Sequence, residues 1–418
     1  MLAAKLIGAA SGYALAWWVT HQEGAAAYGR FELALTVLTI LALGSRLGLD
    51  GVLVKWMAAT KAKGLKQIQS RLVMRAAVVV LTVSLVGVMA MNQGLASWLT
   101  GWLGDGSMDL AWPWVAAGIP AMAMWGLSSE ALRGLARMKT YALLQPGMVM
   151  AVTVMLMVGL GWQVIPSYAL ALGVFSLAAV ALLVVGLSWR ASETPTEEWG
   201  WQSMVATGWP MLMSSAMFLI MSWTDTLLLG HFLEEDQVGI YRVAFRMAAV
   251  VTLVQAAVNS YAAPLFAERH ALGDAAGLRE ALRQTTWLNI AFSVPAFLML
   301  VVAPAWWLSW FGDAFQVGGT CLLWLAAGQL VNALCGPVMY LLNMTGHERV
   351  AQRIVWTAAG LNLALNLWAI PRFGIEGAAV ATALSMALWN VAAAWAVHRR
   401  LGLSVLAVLF GSHNRMES

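Results

Sequence analysis

SYALALGVFSLAAVALLVVGLSW, residues 167–189, runs its whole length without an acidic or basic side chain. The hydrocarbon core of a bilayer is about 30 Å thick, and a helix of roughly 20 apolar residues crosses it, so this stretch reads as a membrane span. Stretches of the same character recur along the chain at 3–20, 28–54, 73–91, 111–131 and 141–161 before it, and at 206–230, 238–262, 286–303, 317–341, 351–370 and 375–397 after it. Lipid offers the backbone no hydrogen bonds, so each segment of this length must be a helix. The composition agrees: 61% of the 418 residues are hydrophobic and 11% charged, against about half and a quarter in globular chains. The expected fold is an all-α membrane protein of about twelve transmembrane helices.

The stretch Arg190 to Gly200, RASETPTEEWG, is the most polar break containing a proline, and it divides the chain almost in half. The expected organisation is an N-terminal six-helix lobe (1–190), a cytoplasmic linker (191–204), a C-terminal six-helix lobe (205–400) and a C-terminal tail (401–418). An internal repeat supports two lobes. RGLARMKTYALL (133–144) meets LNMTGHERVAQR (342–353), and Ala27-Tyr28-Gly29-Arg30-Phe31 meets Gly239-Ile240-Tyr241-Arg242-Val243, each shortly after a histidine, His21 or His231. An even helix count per repeat relates the pseudo-symmetric lobes by an axis along the membrane normal, with a path in a central cavity between them. The N-terminal run also resembles a secretory signal, with Lys5 before it and Ala25-Ala26-Ala27 after it, but its repeat counterpart makes it the first span.

The formal charge of +4 comes from cations clustered in alternate loops: Lys5; Lys55 to Arg75; Arg133, Arg137 and Lys139; Arg190; Arg269 to Arg283; Arg349 and Arg353; Arg399, Arg400 and Arg415. That is the positive-inside distribution, not a nucleic-acid face, and it puts both termini in the cytoplasm. The basic stretch 55–75 is expected on anionic headgroups, and Phe266 to Arg283 as a short interfacial helix. Cys321 and Cys335 fall on one helix about 21 Å apart, beyond disulfide reach. The dipeptide Gly-Lys of a phosphate-cradling loop does not occur, and no Cys or His spacing suits a metal. No cofactor, no metal and no enzymatic activity are expected.

Ionisable side chains inside spans are costly and are functional candidates by default. Arg242 and Arg246 lie four residues apart and share a helix face; two guanidiniums there suit a diphosphate, or alternatively snorkel to headgroups. Arg46 and Asp50 share a face and either neutralise each other or place a cation near the cytoplasmic mouth. Arg30 sits at the outer mouth, Glu32 near it, and Glu130 near the cytoplasmic end of the fourth span. Asp225, between Thr224 and Thr226, is the carboxylate best suited to coupling or gating, or else pairs with Arg242 or Arg246. Asn362 and Asn366 are expected to bond between helices, the alternative being contacts to sugar.

Several of these motifs, Tyr28-Gly29-Arg30-Phe31, Leu47-Gly48-Leu49-Asp50, Asp225 to Gly230 (DTLLLG), Val238 to Arg246 (VGIYRVAFR), Asn343 to Gly346 and Phe373 to Ala379, together resemble the polysaccharide (Wzx-like) flippases of the multidrug/oligosaccharidyl-lipid/polysaccharide exporter superfamily. The resemblance implies alternating access and movement of undecaprenyl-diphosphate-linked oligosaccharide across the bacterial inner membrane for surface polysaccharide, with lipopolysaccharide O-antigen or exopolysaccharide as the product. It assigns Arg46, Arg242, Arg246 and Arg30 to the substrate, and Asp225, Glu32, Asp50 and Glu130 to coupling or gating by protons or sodium. Membrane lipids, a polysaccharide polymerase and glycosyltransferases are the implied partners. Twelve spans fall short of the fourteen expected of lipid II flippases, which argues against a peptidoglycan precursor. The alternatives are cation-coupled efflux of organic cations and a membrane glycosyltransferase or polymerase.

Overall fold

Residues 167–186 of the quoted stretch lie on a single helix, Val164–Gly186. Its buried positions include Ser167, Ala171, Ser176 and Ala179, whereas Leu170, Val174, Leu177, Val184 and Val185 are exposed. Val164, Tyr168, Leu172 and Leu183 are buried with the small residues, and the exposed face is wholly apolar, as in a helix packed on helices on one side and facing lipid on the other.

The computed structural model describes residues 2–103, 106–187, 200–403 and 405, all of whose regular structure is helical. The helices are α1 (Leu2–Gln22), α2 (Gly24–Arg46), α3 (Leu49–Ala62), α4 (Lys66–Ala90), α5 (Ala96–Leu103), α6 (Trp112–Gly134), α7 (Met138–Leu143), α8 (Pro146–Leu160), α9 (Val164–Gly186), α10 (Trp201–Phe232), α11 (Glu235–Ala248), α12 (Gln255–Ala271), α13 (Ala275–Val302), α14 (Pro304–Ser309), α15 (Gly319–Cys335), α16 (Val338–Met344) and α17 (Glu348–Leu401).

Six of the described helical stretches are long and apolar enough to cross a membrane by length and composition alone, and the bent pair α11 and α12 makes a seventh. Helix α17, at 54 residues, leaves helical geometry at Gly374 (φ 58°, ψ −138°) and so supplies two spans. Helices α1, α6, α8 and α10 occupy the remaining expected positions, giving about twelve in all. By internal contacts the chain groups into Met1–Gly239 and Ile240–Ser418. The expected linker, 191–204, and the tail, 401–418, lie largely outside the described residues.

In the first unit α6 is the central post, packed against α2, α3, α4 and α9, while α1 packs on α8. Helix α10 lies along α2 and α3. The span expected as one helix over 28–54 is two helices. Leu47 and Gly48 both take left-handed backbone (φ 49° and 75°), and a Cβ on Gly48 would stand 2.2 Å from the Gly208 carbonyl oxygen of α10. The break therefore admits α10 at backbone contact, which only glycine allows at that φ. A second close approach joins α2 to the first turn of α11. A Cβ on Gly29 would stand 1.8 Å from the Glu235 carbonyl oxygen, and one on Gly239 would stand 2.2 Å from that of Ala25.

In the second unit α15 packs on α13 and α17, and α12 on α13 and α16. Phe266, Leu282, Leu341, Leu342 and Val397 are fully buried at the heart of its core. The span expected at 238–262 is interrupted at Ala249–Thr252 by a tighter helical turn. Side chains cover the interruption: Ser293 donates to the Val251 carbonyl at 2.6 Å, Thr252 donates to Gln329 at 3.1 Å, and the amides of Gln255 and Asn332 bond reciprocally. The segment 266–283, expected as a separate interfacial helix, is the end of α12 and the start of α13. Between them Asp274 caps α13, accepting from the Gly277 N–H at 2.7 Å and from Arg269 at 2.9 Å. Those two donors, the backbone N–H first, hold its carboxyl below the usual range. Asn362 and Asn366, expected to bond between helices, bond to each other one turn apart along α17 at 3.1 Å.

Replacing Gly29 by Ala forces α2 away from α11 and is expected to cost about 1–3 kcal/mol, the usual range for overpacking, seen as a lowered unfolding temperature in detergent. Gly173→Ala, where an added Cβ meets nothing within 4 Å, is expected to leave that temperature unchanged.

Candidate functional site

In the first unit, two groups of charged side chains stand at the two ends of α2. At its start Arg30 is ion-paired with Glu235 at 2.9 Å, and Glu235 also accepts from the Ser107 hydroxyl. Arg30 is thus held by a carboxylate in this structure. Glu32 is completely buried and accepts from the Tyr28 hydroxyl at 2.6 Å. Beside it the Phe31 and Tyr168 rings meet edge to face, 5.4 Å between centroids. Glu23, in the turn before α2, accepts from the Val164 N–H at 2.9 Å and so ties that turn to the start of α9. His231, closing α10, stands with Nδ1 2.6 Å from the Trp102 carbonyl and its ring stacked on the Trp102 indole.

At the other end Arg46, the last residue of α2, reaches across the Leu47-Gly48 break to Asp50 in the first turn of α3, at 2.9 Å. Their side chains are only 15% and 14% exposed. The guanidinium lies on Gly126 of α6, where an added Cβ would stand 2.5 Å from Nη1. One turn on, Glu130 pairs with Arg133 at 2.5 Å and accepts from the Tyr141 hydroxyl at 3.3 Å. Arg46, Asp50 and Glu130 thus form one inner cluster, as α2, α3 and α6 converge there. Of the two sequence readings of Arg46 and Asp50, mutual neutralisation is the one this geometry has.

Asp225 is buried on α10 at 4% exposure, with Thr226 buried beside it. Arg242 and Arg246 lie in the second unit, one turn apart on α11 and half-buried. The Arg242 guanidinium is 5.5 Å from the centroid of the Phe245 ring. Among the described residues no group of three or more His, Cys, Asp or Glu side chains has metal-binding geometry.

Sequence reasoning missed Glu235, Ser107 and Tyr168, and gave Tyr28 only as part of a motif, without its bond to Glu32. Glu235 had a signal, an acidic run at the helix start, Glu234-Glu235-Asp236. Its partner Arg30 lies 205 residues away, a separation that no local pattern encodes.

A family model described as "Polysaccharide biosynthesis protein" matches residues 24–270. The chain belongs to the polysaccharide biosynthesis protein family. A second model, MatE, matches residues 210–368. Among curated relatives, "Probable low-salt glycan biosynthesis flippase Agl15" of Haloferax volcanii is 32% identical over 174 residues, covering 41% of this chain and 36% of that one. "Probable multidrug resistance protein NorM" of Pseudomonas aeruginosa is 30% identical over 194 residues, covering 42% and 38%. The matched stretch spans well under half the length of these relatives.

Solved structures share the fold over nearly the whole chain. An inward-facing multidrug resistance MATE family transporter of the MOP superfamily aligns with a TM-score of 0.72 at 12% identity, covering 99% of this chain and 96% of that one. Lipid II flippase MurJ aligns with a TM-score of 0.60 at 11% identity, covering 91% and 89%. The chain therefore has the fold of this transporter superfamily.

The Arg46–Asp50 pair is desolvated enough for its halves to depend on each other. Asp50→Asn or Arg46→Met alone is expected to cost about 3–5 kcal/mol, because the surviving charge stays buried and unpaired, while Arg46→Met/Asp50→Leu together costs less than either. Thermal unfolding of the three purified variants checks the order.

Proposed function

We propose that the chain carries an undecaprenyl-diphosphate-linked oligosaccharide from the inner to the outer leaflet of the cytoplasmic membrane by alternating access, as a step in assembly of a surface polysaccharide such as O-antigen or exopolysaccharide. The observation that carries this is the polysaccharide-biosynthesis family match over 24–270, which reaches across both the inner cluster and the Arg242/Arg246 pair. Two guanidiniums one turn apart on α11 offer planar forks to the oxygens of a diphosphate, and low dielectric strengthens that bond. Arg30 serves the headgroup at the outer mouth and Arg46 at the cytoplasmic mouth, each exchanging a carboxylate partner for the diphosphate. Glu32, Asp50 and Glu130 are the exchanging and gating acids. Asp225, buried between two threonines, takes up the coupling proton or sodium ion. The cation-rich alternate loops support cytoplasmic termini, beside the glycosyltransferases that build the cargo, and the released product feeds a polymerase.

A second reading, cation-coupled efflux of organic cations, has its own support in the MatE match over 210–368 and the likeness to NorM. The sign of the cargo separates the two. In a host lacking the gene, lipid-linked oligosaccharide is expected to accumulate on the cytoplasmic side. Wild type is expected to relieve this, and a normally expressed Arg242→Glu/Arg246→Glu variant is not. Unchanged lipid-linked intermediates together with new sensitivity to cationic compounds would instead establish efflux.

A further inference from the structure

Helices α5 and α14 carry the same short motif. Residues 98–105 read WLTGWLGD and residues 306–313 read WWLSWFGD. Shifted by 208 residues, Trp98 meets Trp306, Trp102 meets Trp310, and the pair Gly-Asp follows both. Each motif stands on a short helix just after a long apolar one, α4 in the first unit and α13 in the second.

A tryptophan four residues after another lies on the same helix face; the leading ring is open in both copies, while Trp102 is half-buried. Trp98 is 62% exposed, Trp306 52% and Trp310 51%. Trp98 and Trp102 stack nearly parallel, 6.4 Å between centroids, and the His231 ring braces Trp102 from α10. In the second copy Trp306 and Trp310 meet edge to face at 5.0 Å, with Trp307 packed against both. Gly312 then turns the chain out of the helix with φ 120°.

Two observations decide what such a face meets. It continues the apolar outer stripe of α13, whose end exposes Leu298, Met299, Val301 and, at 85%, Val302. The hydrogen-bonding groups around it are also already used. Ser309 donates to the Trp306 carbonyl, the Trp307 indole N–H to Met299, and the Trp112 indole N–H to Thr100, whose hydroxyl donates to Asp109. A sugar stacked on these rings would find few polar groups at its edge, whereas the glycerol and headgroup zone of a bilayer asks only for an amphipathic ring.

We propose that the repeated motif forms two interfacial anchors, one in each unit, that seat α5 and α14 at the headgroup level of the bilayer. Each anchor fixes the depth of the span that precedes it.

The test uses the full chain with Cys321 and Cys335 replaced by Ala. Spin labels are placed beside the anchors at Ser97→Cys and Ala305→Cys, with Phe292→Cys, ten residues inside the end of α13 and 54% exposed, as a deep reference and Gln316→Cys as an aqueous one. The protein is reconstituted in phosphatidylcholine/phosphatidylglycerol vesicles, and collision of each label with oxygen and with a water-soluble nickel chelate is measured. Labels at 97 and 305 are expected at a depth between the two references, and Trp98→Ser or Trp306→Ser/Trp310→Ser is expected to shift the neighbouring label toward aqueous values. Labels as aqueous as the one at 316 in the parent protein would overturn the proposal without recourse to the serine variants. Shielding of those labels from the chelate by added maltoheptaose would overturn it in favour of a sugar platform.

Discussion

A bilayer core supplies no hydrogen-bond partner, so each polar group and each helix break within it must be satisfied by the protein itself. The first unit meets this at the Leu47-Gly48 break with the Arg46–Asp50 pair, which closes over the gap at 2.9 Å. The second unit meets it at Ala249–Thr252 with hydroxyls and amides from α13 and α15. Where α2 begins, the Arg30 charge is met by Glu235 and that acid by Ser107. Glycines at the close approaches, Gly29, Gly48, Gly126 and Gly239, let these groups come within bonding distance.

The same constraint shapes the proposed transport. A headgroup carrying two phosphates crosses an apolar barrier only if fixed cations replace its water, and those cations need partners when the headgroup is absent. Arg30 and Arg46 have such partners in Glu235 and Asp50, so the proposed cycle exchanges carboxylate for phosphate on each arginine, with a proton or cation taken up by the displaced acid to balance the added charge. Arg242 and Arg246, one turn apart and half-buried on α11, are the pair the proposal relies on most. Asp225 answers a different need, since a carboxylate at 4% exposure is strongly sensitive to gaining or losing a cation.

The spans were legible because the cost of burying charge in lipid is written into uninterrupted apolar length, as in the run that became α9. What stayed hidden was of two kinds. The break at residues 47–48 depends on Leu47 taking left-handed backbone, which its side chain does not announce, and on α10 arriving from more than 150 residues away to make the bend worthwhile. The partnership of Arg30 with Glu235, and the choice of Asn366 to bond Asn362 along its own helix, are likewise set by tertiary geometry. The pairing of Arg46 with Asp50 was half-legible. Their spacing of four put them on one face, and they meet across a break that a continuous helix would not contain.

The most direct measurement of the central claim is translocation by the purified chain. Proteoliposomes loaded with fluorescent undecaprenyl-diphosphate oligosaccharide, and given an ion gradient, are probed with a membrane-impermeant reductant that quenches only outward-facing headgroups. The account requires a protein-dependent rise in the reducible fraction, lost on charge reversal at Arg242 and Arg246. No change in that fraction, with gradient-driven uptake of an organic cation by the same vesicles, would contradict it.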